Sequence, residues 1–196
     1  NVRDGVYIER LSLNNIVGAS STNTITFQSQ SLDSTKVTLS LPTSATLDNG
    51  VVFLNGANWI TIKKMTIKRT GLSSNTYSYL YELNNGANNN TLTNCRLINV
   101  FPNSSSTSYH SIYSTAGLDT GNTITNNVIK YGNSGIYFNG VSTASLESGN
   151  TFRNNVIDST YGTYAVLMQY NDRLVFDQNK VTNILYQSGY GTYMYY

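Results

Sequence analysis

The sequence predicts an all-β protein: a right-handed parallel β-helix of about seven coils, forming one domain over residues 1–196. Three observations carry that expectation. A short pattern recurs five times with matching apolar positions, and a strand of period-two alternation precedes each copy. Only 11% of the residues are charged, so Asn, Ser, Thr and Tyr must supply most of the polar surface.

The recurring pattern begins at Ile60-Thr61-Ile62-Lys63-Lys64-Met65-Thr66-Ile67 and returns as Thr91-Leu92-Thr93-Asn94-Cys95-Arg96-Leu97. It continues through Thr123-Ile124-Thr125-Asn126-Asn127-Val128-Ile129, Thr151-Phe152-Arg153-Asn154-Asn155-Val156-Ile157 and Val175-Phe176-Asp177-Gln178-Asn179-Lys180-Val181. Each copy holds an apolar residue (Ile62, Leu92, Ile124, Phe152, Phe176), then a compact or polar one, then a second apolar residue (Ile67, Leu97, Ile129, Ile157, Val181). Successive copies lie 30, 32, 28 and 24 residues apart, within the range of solenoid repeats.

The preceding strands carry the pairs Val52/Leu54, Tyr81/Leu83, Ile112/Ser114, Ile136/Phe138 and Val166/Met168. Period-two alternation turns these inward and sends Phe53, Glu82, Tyr113, Tyr137 and Leu167 outward. The turns are rich in Asn, Gly and Ser, and no helical period is sustained. A β-sandwich is the competing all-β architecture. Its hairpins, however, would not require the same inward residue at the same place in every repeat, whereas coils stacked in parallel do.

Stacking explains the asparagines. Rungs about 4.8 Å apart let like side chains hydrogen-bond along the axis, so Asn127, Asn155 and Asn179 are expected to form an internal ladder. Cys95 and Met65 share that column, which makes Cys95 a buried core thiol rather than a nucleophile.

Composition narrows the function classes. The formal net charge of +2 provides no basic stripe of the kind that binds nucleic acid. One cysteine excludes an intrachain disulfide, and no apolar run approaches the roughly 20 residues of a membrane span. The chain starts at Asn1, without methionine or signal peptide, as a processed or truncated product would. It stops within Gly191-Thr192-Tyr193-Met194-Tyr195-Tyr196, which is similar to Gly162-Thr163-Tyr164-Ala165-Val166. The expectation is therefore a fragment of a longer chain, its last strand stacked on the coil of Val166 and Met168. The outer edge, at Tyr196, is expected to be open or covered by further coils, other domains or another polypeptide.

The Asn-Asn-Val-Ile turns and the strand start Gly135-Ile136-Tyr137-Phe138 resemble the parallel β-helix repeats of the pectate-lyase-like superfamily over residues 50 to 185. Gly5-Val6-Tyr7-Ile8-Glu9, Ile16-Val17-Gly18 and Ile25-Thr26-Phe27 resemble its opening coils. Long, charge-poor versions of this pattern are found in secreted proteins of Bacteroidota, often exported by the type IX system. The resemblance thus implies a secreted or cell-surface location and contact with secretion machinery. Lyases on this scaffold hold calcium with clustered carboxylates, and its hydrolases pair two carboxylates about 5 to 10 Å apart.

The carboxylates here (Asp4, Glu9, Asp33, Asp48, Glu82, Asp119, Glu147, Asp158, Asp172 and Asp177) are dispersed, and no two form a motif. The superfamily's hydrolase signature of Asn-Thr-Asp, Asp-Asp, Gly-His-Gly and Arg-Ile-Lys is absent, as are pectin-esterase motifs. Arg153 and Asp177 are expected to meet on adjacent rungs as a surface ion pair. His110, the only histidine, stands in Ser-Tyr-His-Ser with no carboxylate or second ligand beside it, so neither acid–base work nor metal binding is expected. No catalytic residue, metal site or cofactor is assigned.

Two outward features remain. Thr61, Thr91, Thr123 and Thr151 form a column that sheet propensity explains, interrupted sideways by Lys63, Arg153 and Asp177. Of 16 tyrosines, 15 follow residue 76. Aromatics fill sheet faces by default, but amphipathic rings also suit sugars, and Phe53, Tyr113 and Tyr137 are the first choice for a glycan contact. The sequence expectation is thus a non-catalytic stalk or adhesin segment with a glycan-binding face, whose partner is a polysaccharide or surface glycan. Its alternative is a fragment of a polysaccharide lyase or glycoside hydrolase whose catalytic coils lie elsewhere.

Overall fold

Apolar residues spaced by one coil can share an interior only if the strands bearing them run the same way, and that is the arrangement found. A computed structural model describes all residues except 47–48, 72–75, 103–107, 116 and 196. Among the described residues there is no helix long and apolar enough to cross a membrane. Three main sheets are built from parallel strands. The first contains Gly5–Tyr7, Val37–Pro42, Thr66–Thr70, Arg96–Ile98, Val128–Lys130, Val156–Asp158 and Lys180–Thr182. The second contains Leu11–Asn14, Val52–Asn55, Tyr77–Asn84, Ser108–Ser114, Ser134–Asn139, Tyr164–Gln169 and Tyr190–Tyr195. Ile25–Gln28, Ile60–Lys63, Thr91–Thr93, Thr123–Thr125, Thr151–Arg153 and Val175–Asp177 form the third. The chain visits the sheets in that order, over and over, a path compatible with a parallel β-helix.

The register matches the repeat spacing. Ile62 pairs with Leu92, Leu92 with Ile124, Ile124 with Phe152 and Phe152 with Phe176. In the first sheet Ile67, Leu97, Ile129, Ile157 and Val181 form a similar row. All ten belong to or pack against one apolar cluster, with Phe176 and Val181 partly buried at its margin. Each fully enclosed Leu, Ile or Phe contributes about 1.5–3 kcal/mol relative to exposure. This cluster is what holds the sheets together.

On five successive coils the short turn from the third sheet to the first uses one residue in the left-handed region: Lys64, Asn94, Asn126, Asn154 and Gln178, with φ of 54–57°. Asn tolerates that conformation better than most side chains. The next residue points inward. Asn127 Nδ2 donates to Asn155 Oδ1 at 3.0 Å, and Asn155 Nδ2 donates to Asn179 Oδ1 at 2.9 Å. Asn155 Nδ2 also donates to the Ile124 carbonyl at 2.9 Å, and the Cys95 N–H donates to Asn127 Oδ1 at 2.9 Å. Cys95 is buried, and desolvation pushes its thiol up to about 12.

A second ladder escapes sequence reasoning. At the corner leading into the third sheet, the N–H of Ile60 donates to Asn90 Oδ1, that of Asn90 to Asn122 Oδ1, and that of Asn122 to Asn150 Oδ1, all at 2.8–2.9 Å. Its signal is present as Asn-Thr-apolar at residues 90–92, 122–124 and 150–152, one position ahead of the aligned repeat.

Two expectations hold with a difference. Phe53, Glu82 and Leu167 do lie in one register column with Tyr113 and Tyr137, but they are buried rather than exposed. Connecting segments and neighbouring side chains cover that side of the second sheet. The last strand, Tyr190–Tyr195, does stack on Tyr164–Gln169, but Tyr193 faces Leu167 and Tyr190 faces Tyr164. The observed register sets Met194 beside Met168 and Thr192 beside Val166, continuing the inward row, whereas matching the Gly-Thr-Tyr triplets would shift it by three residues. Tyr196 lies outside the described residues.

Candidate functional site

The outer side of the second sheet carries the aromatic residues singled out from the sequence. In the strand Tyr77–Asn84, Leu80, Tyr81 and Leu83 all join the interior cluster. Two consecutive inward residues break strict alternation there. The result puts Tyr79 and Glu82 on the outer side, and Tyr79 pairs in register with His110.

Four rings assemble around this break. Tyr79 and Tyr113 stack at 4.0 Å between centroids with planes 9° apart. His110 lies 5.4 Å from Tyr113 and 4.5 Å from Tyr137, stacked on both, and Tyr113 and Tyr137 are 5.7 Å apart and tilted by 31°. Tyr79 and His110 are buried, whereas Tyr113 and Tyr137 are half-buried and reach solvent. Because their faces are partly occupied by one another, these two tyrosines offer mainly ring edges and hydroxyls. The Tyr113 hydroxyl accepts from Thr115 Oγ1 at 3.1 Å and is hydrogen-bonded with Tyr79 as well.

Phe53 lies in the same column but is enclosed, with the Arg10 guanidinium 4.5 Å above its ring. Arg10 also donates from Nε to the Gly50 carbonyl at 3.0 Å. The structure therefore brings Tyr113 and Tyr137 together at the surface and places Phe53 beneath a cation on the same sheet.

Buried charge fixes this region. Arg69 donates to the carbonyls of Tyr79, Pro42 and Asn49 and to Asn49 Oδ1. Desolvation lowers its pKa to about 10, while the charge of Glu82 acts in the opposite direction. Glu82 Oε2 accepts from the Gly50 N–H at 2.6 Å. A Cβ on Gly50 would fall 2.6 Å from that of Glu82, so this approach requires glycine. Burial also lowers the pKa of His110 to about 3, and its Nδ1 has no partner among the described residues. The imidazole is neutral at pH 7, and the Tyr137 phenol is shifted upward by desolvation. These groups stack and hydrogen-bond; they carry no proton-transfer pair.

The remaining sequence candidates fall elsewhere. Arg153 Nε lies 3.0 Å from Asp177 Oδ2, with both side chains nearly half exposed, which is the geometry of a surface ion pair of about 0–1 kcal/mol. Thr61, Thr91, Thr123 and Thr151 form the expected column. Among the described residues, no group of three or more His, Cys, Asp or Glu is placed to hold a metal ion. Asp48 lies outside them.

One carboxylate pair escapes the sequence reading although the repeat spacing contains it. Asp119 and Glu147, taken there as isolated, meet inside the molecule, where the Ser114 hydroxyl lies 2.8 Å from Asp119 Oδ2 and 3.3 Å from Glu147 Oε1. Both acids are fully enclosed. Each stands five residues before the aligned apolar position, Ile124 or Phe152, so their spacing of 28 residues is that of the repeat itself, but a change of residue type along the column (Ala87, Asp119, Glu147, Asn171) hides it.

In comparisons with known proteins, no family model, no curated protein and no solved structure matches this chain. The fold and site define an all-strand protein of parallel sheets around one apolar interior, with an aromatic patch on its second sheet.

Proposed function

We propose that this chain is a non-catalytic segment of a secreted or cell-surface bacterial protein, an elongated stalk or adhesin that holds glycans on the outer face of its second sheet. In this reading the three sheets wind as a right-handed parallel β-helix of about seven coils, of the pectate-lyase-like superfamily and of the type exported by Bacteroidota. Tyr113 and Tyr137 make the contact, and Phe53 lies in the same column two strands away. The observation that carries the reading is the half-exposed tyrosine pair on adjacent rungs, backed by buried Tyr79 and His110. Rigid aromatic edges with phenolic hydroxyls suit the apolar faces and hydroxyl groups of sugars, and little conformational entropy is lost on binding.

Glycan-array binding tests it. The double variant Tyr113→Ala with Tyr137→Ala is expected to lose at least tenfold in affinity while keeping the parent's circular dichroism. Binding unchanged in the folded double variant would remove this face from consideration. Polysaccharide turnover that a single carboxylate substitution abolishes would instead establish an enzyme.

A further inference from the structure

The enclosed pair Asp119 and Glu147 poses a hydrogen-bonding problem that only one simple arrangement solves. Glu147 pairs in register with Asn171 on the next rung, and rungs lie about 4.8 Å apart. Glu147 Oε2 and Asn171 Oδ1 are both buried, and neither has a partner among the described residues. Both atoms are acceptors when the acid is ionised. Flipping the Asn171 amide does not help, because its Nδ2 donates to the carbonyls of Phe138 at 3.1 Å and Gln169 at 2.8 Å. A flipped amide would set its oxygen against two carbonyl oxygens.

We propose that Glu147 is a neutral carboxylic acid at pH 7 whose Oε2 proton is donated to Asn171 Oδ1. That hydrogen bond closes a proton-gated clamp across consecutive coils. Its first member is Asp119, whose Oδ1 accepts from the Ala87 N–H at 2.6 Å and whose Oδ2 accepts from Ser114. Its second is Glu147, which Ser114 joins to Asp119, and its third is Asn171. Two buried acceptors each gain a donor, where leaving them unpaired would be costly.

The electrostatics agree. Desolvation raises Glu147 to about 9, the Asp119 charge pushes it in the same direction, and hydrogen bonds from Ser114 and from the Asp119 backbone oppose them. Asp119 is itself raised by desolvation. The Tyr81 phenol on the second sheet is held neutral chiefly by burial, with the Asp119 charge acting in the same direction. Beyond the clamp, Asp172 is engaged at the surface by Arg173 at 2.9 Å.

The sign of the pH dependence follows. An acid whose pKa is raised on folding contributes stability that is complete below its unfolded pKa, near 4.5, and is lost as pH rises to about 9. His110 acts oppositely: its contribution is complete above 6.5 and is lost as pH falls towards 3. Between about pH 6.5 and 8 the clamp acts alone, because Asp33, Asp158 and Asp172 are shifted downward and titrate far below this range.

Urea unfolding across that window is the test. In the parent protein the folding equilibrium constant should fall about tenfold per pH unit. In Glu147→Gln, whose amide N–H₂ can replace the acid's donor, it should be nearly flat. A carboxylic-acid carbonyl band in the infrared spectrum of the parent at pH 7, disappearing above pH 9, is expected too; this readout stands even if the variant does not fold. A flat parent profile or no such band at pH 7 would overturn the proposal. So would a slope that survives Glu147→Gln but vanishes in Asp119→Asn. Loss of stability at pH 7 on adding a chelator, restored by calcium, would show a cation in place of the proton.

Discussion

Replacing Ile124 with Asp is expected to abolish the cooperative unfolding transition of the central coils. Ile124 is fully buried between Leu92 and Phe152 on adjacent rungs. The substitution removes a large apolar side chain and puts an unpaired carboxylate in its place, a loss of about 5 kcal/mol or more. That is comparable with the entire stability of a typical domain, roughly 5–15 kcal/mol. Since each coil contacts only its neighbours, the damage should begin locally. Amide hydrogen exchange is the suitable measurement: protection should be lost first in Thr91–Thr93 and Thr151–Arg153 and should persist longest in distant coils. A variant that melted and exchanged like the parent would show that Ile124 is not an interior rung.

The second large effect is expected from Asn155→Ala. This side chain donates to Asn179 Oδ1 and the Ile124 carbonyl, and its Oδ1 accepts from both the N–H and Nδ2 of Asn127. Alanine would leave several enclosed donors and acceptors without partners, at about 1–3 kcal/mol for each one left unsatisfied. Cooperativity within the ladder adds to the loss. The expected decrease is roughly 2–5 kcal/mol in urea unfolding. By contrast, Asn154 precedes it in the left-handed turn and is exposed. A loss below about 0.5 kcal/mol, the range of ordinary surface substitutions, would mean that the ladder is not a structural element.

These two residues illustrate what a sequence can disclose about such a fold. Ile124 and Asn155 sit in a strand and the short turn that follows it, whose residue spacing is constant over five successive copies, so their environment is written in the spacing itself. Tyr193 is different: in a Tyr-rich, Gly-rich segment several registers match locally, and only the inward stacking of Met194 on Met168 selects one. Phe53 and Glu82 were read correctly as outward, but outward from a sheet is not the same as exposed. The segments bearing Arg10 and Gly50 close over them, and alternation carries no information about such cover.

The candidate sites divide in the same way. Tyr113 and Tyr137 were legible because they occupy equivalent positions in successive strands. Tyr79 and His110, which complete the ring cluster, were not, because the consecutive inward residues Leu80 and Tyr81 shift the phase of the strand. Asp119, Glu147 and Asn171 each stand five residues before an aligned apolar residue (Ile124, Phe152, Phe176), so the spacing held their column, but three different residue types in it leave no repeated motif to notice.

The central claim is that the repeats pair in parallel, in register, about one coil apart, and nuclear Overhauser contacts around Ile124 measure it most directly. The account predicts contacts from the Ile124 methyls to both Leu92 and Phe152, together with Thr123 close to Thr91 and Thr125 close to Thr93. Contacts of Thr123 with Thr93 and of Thr125 with Thr91 would reveal an antiparallel pairing and contradict it.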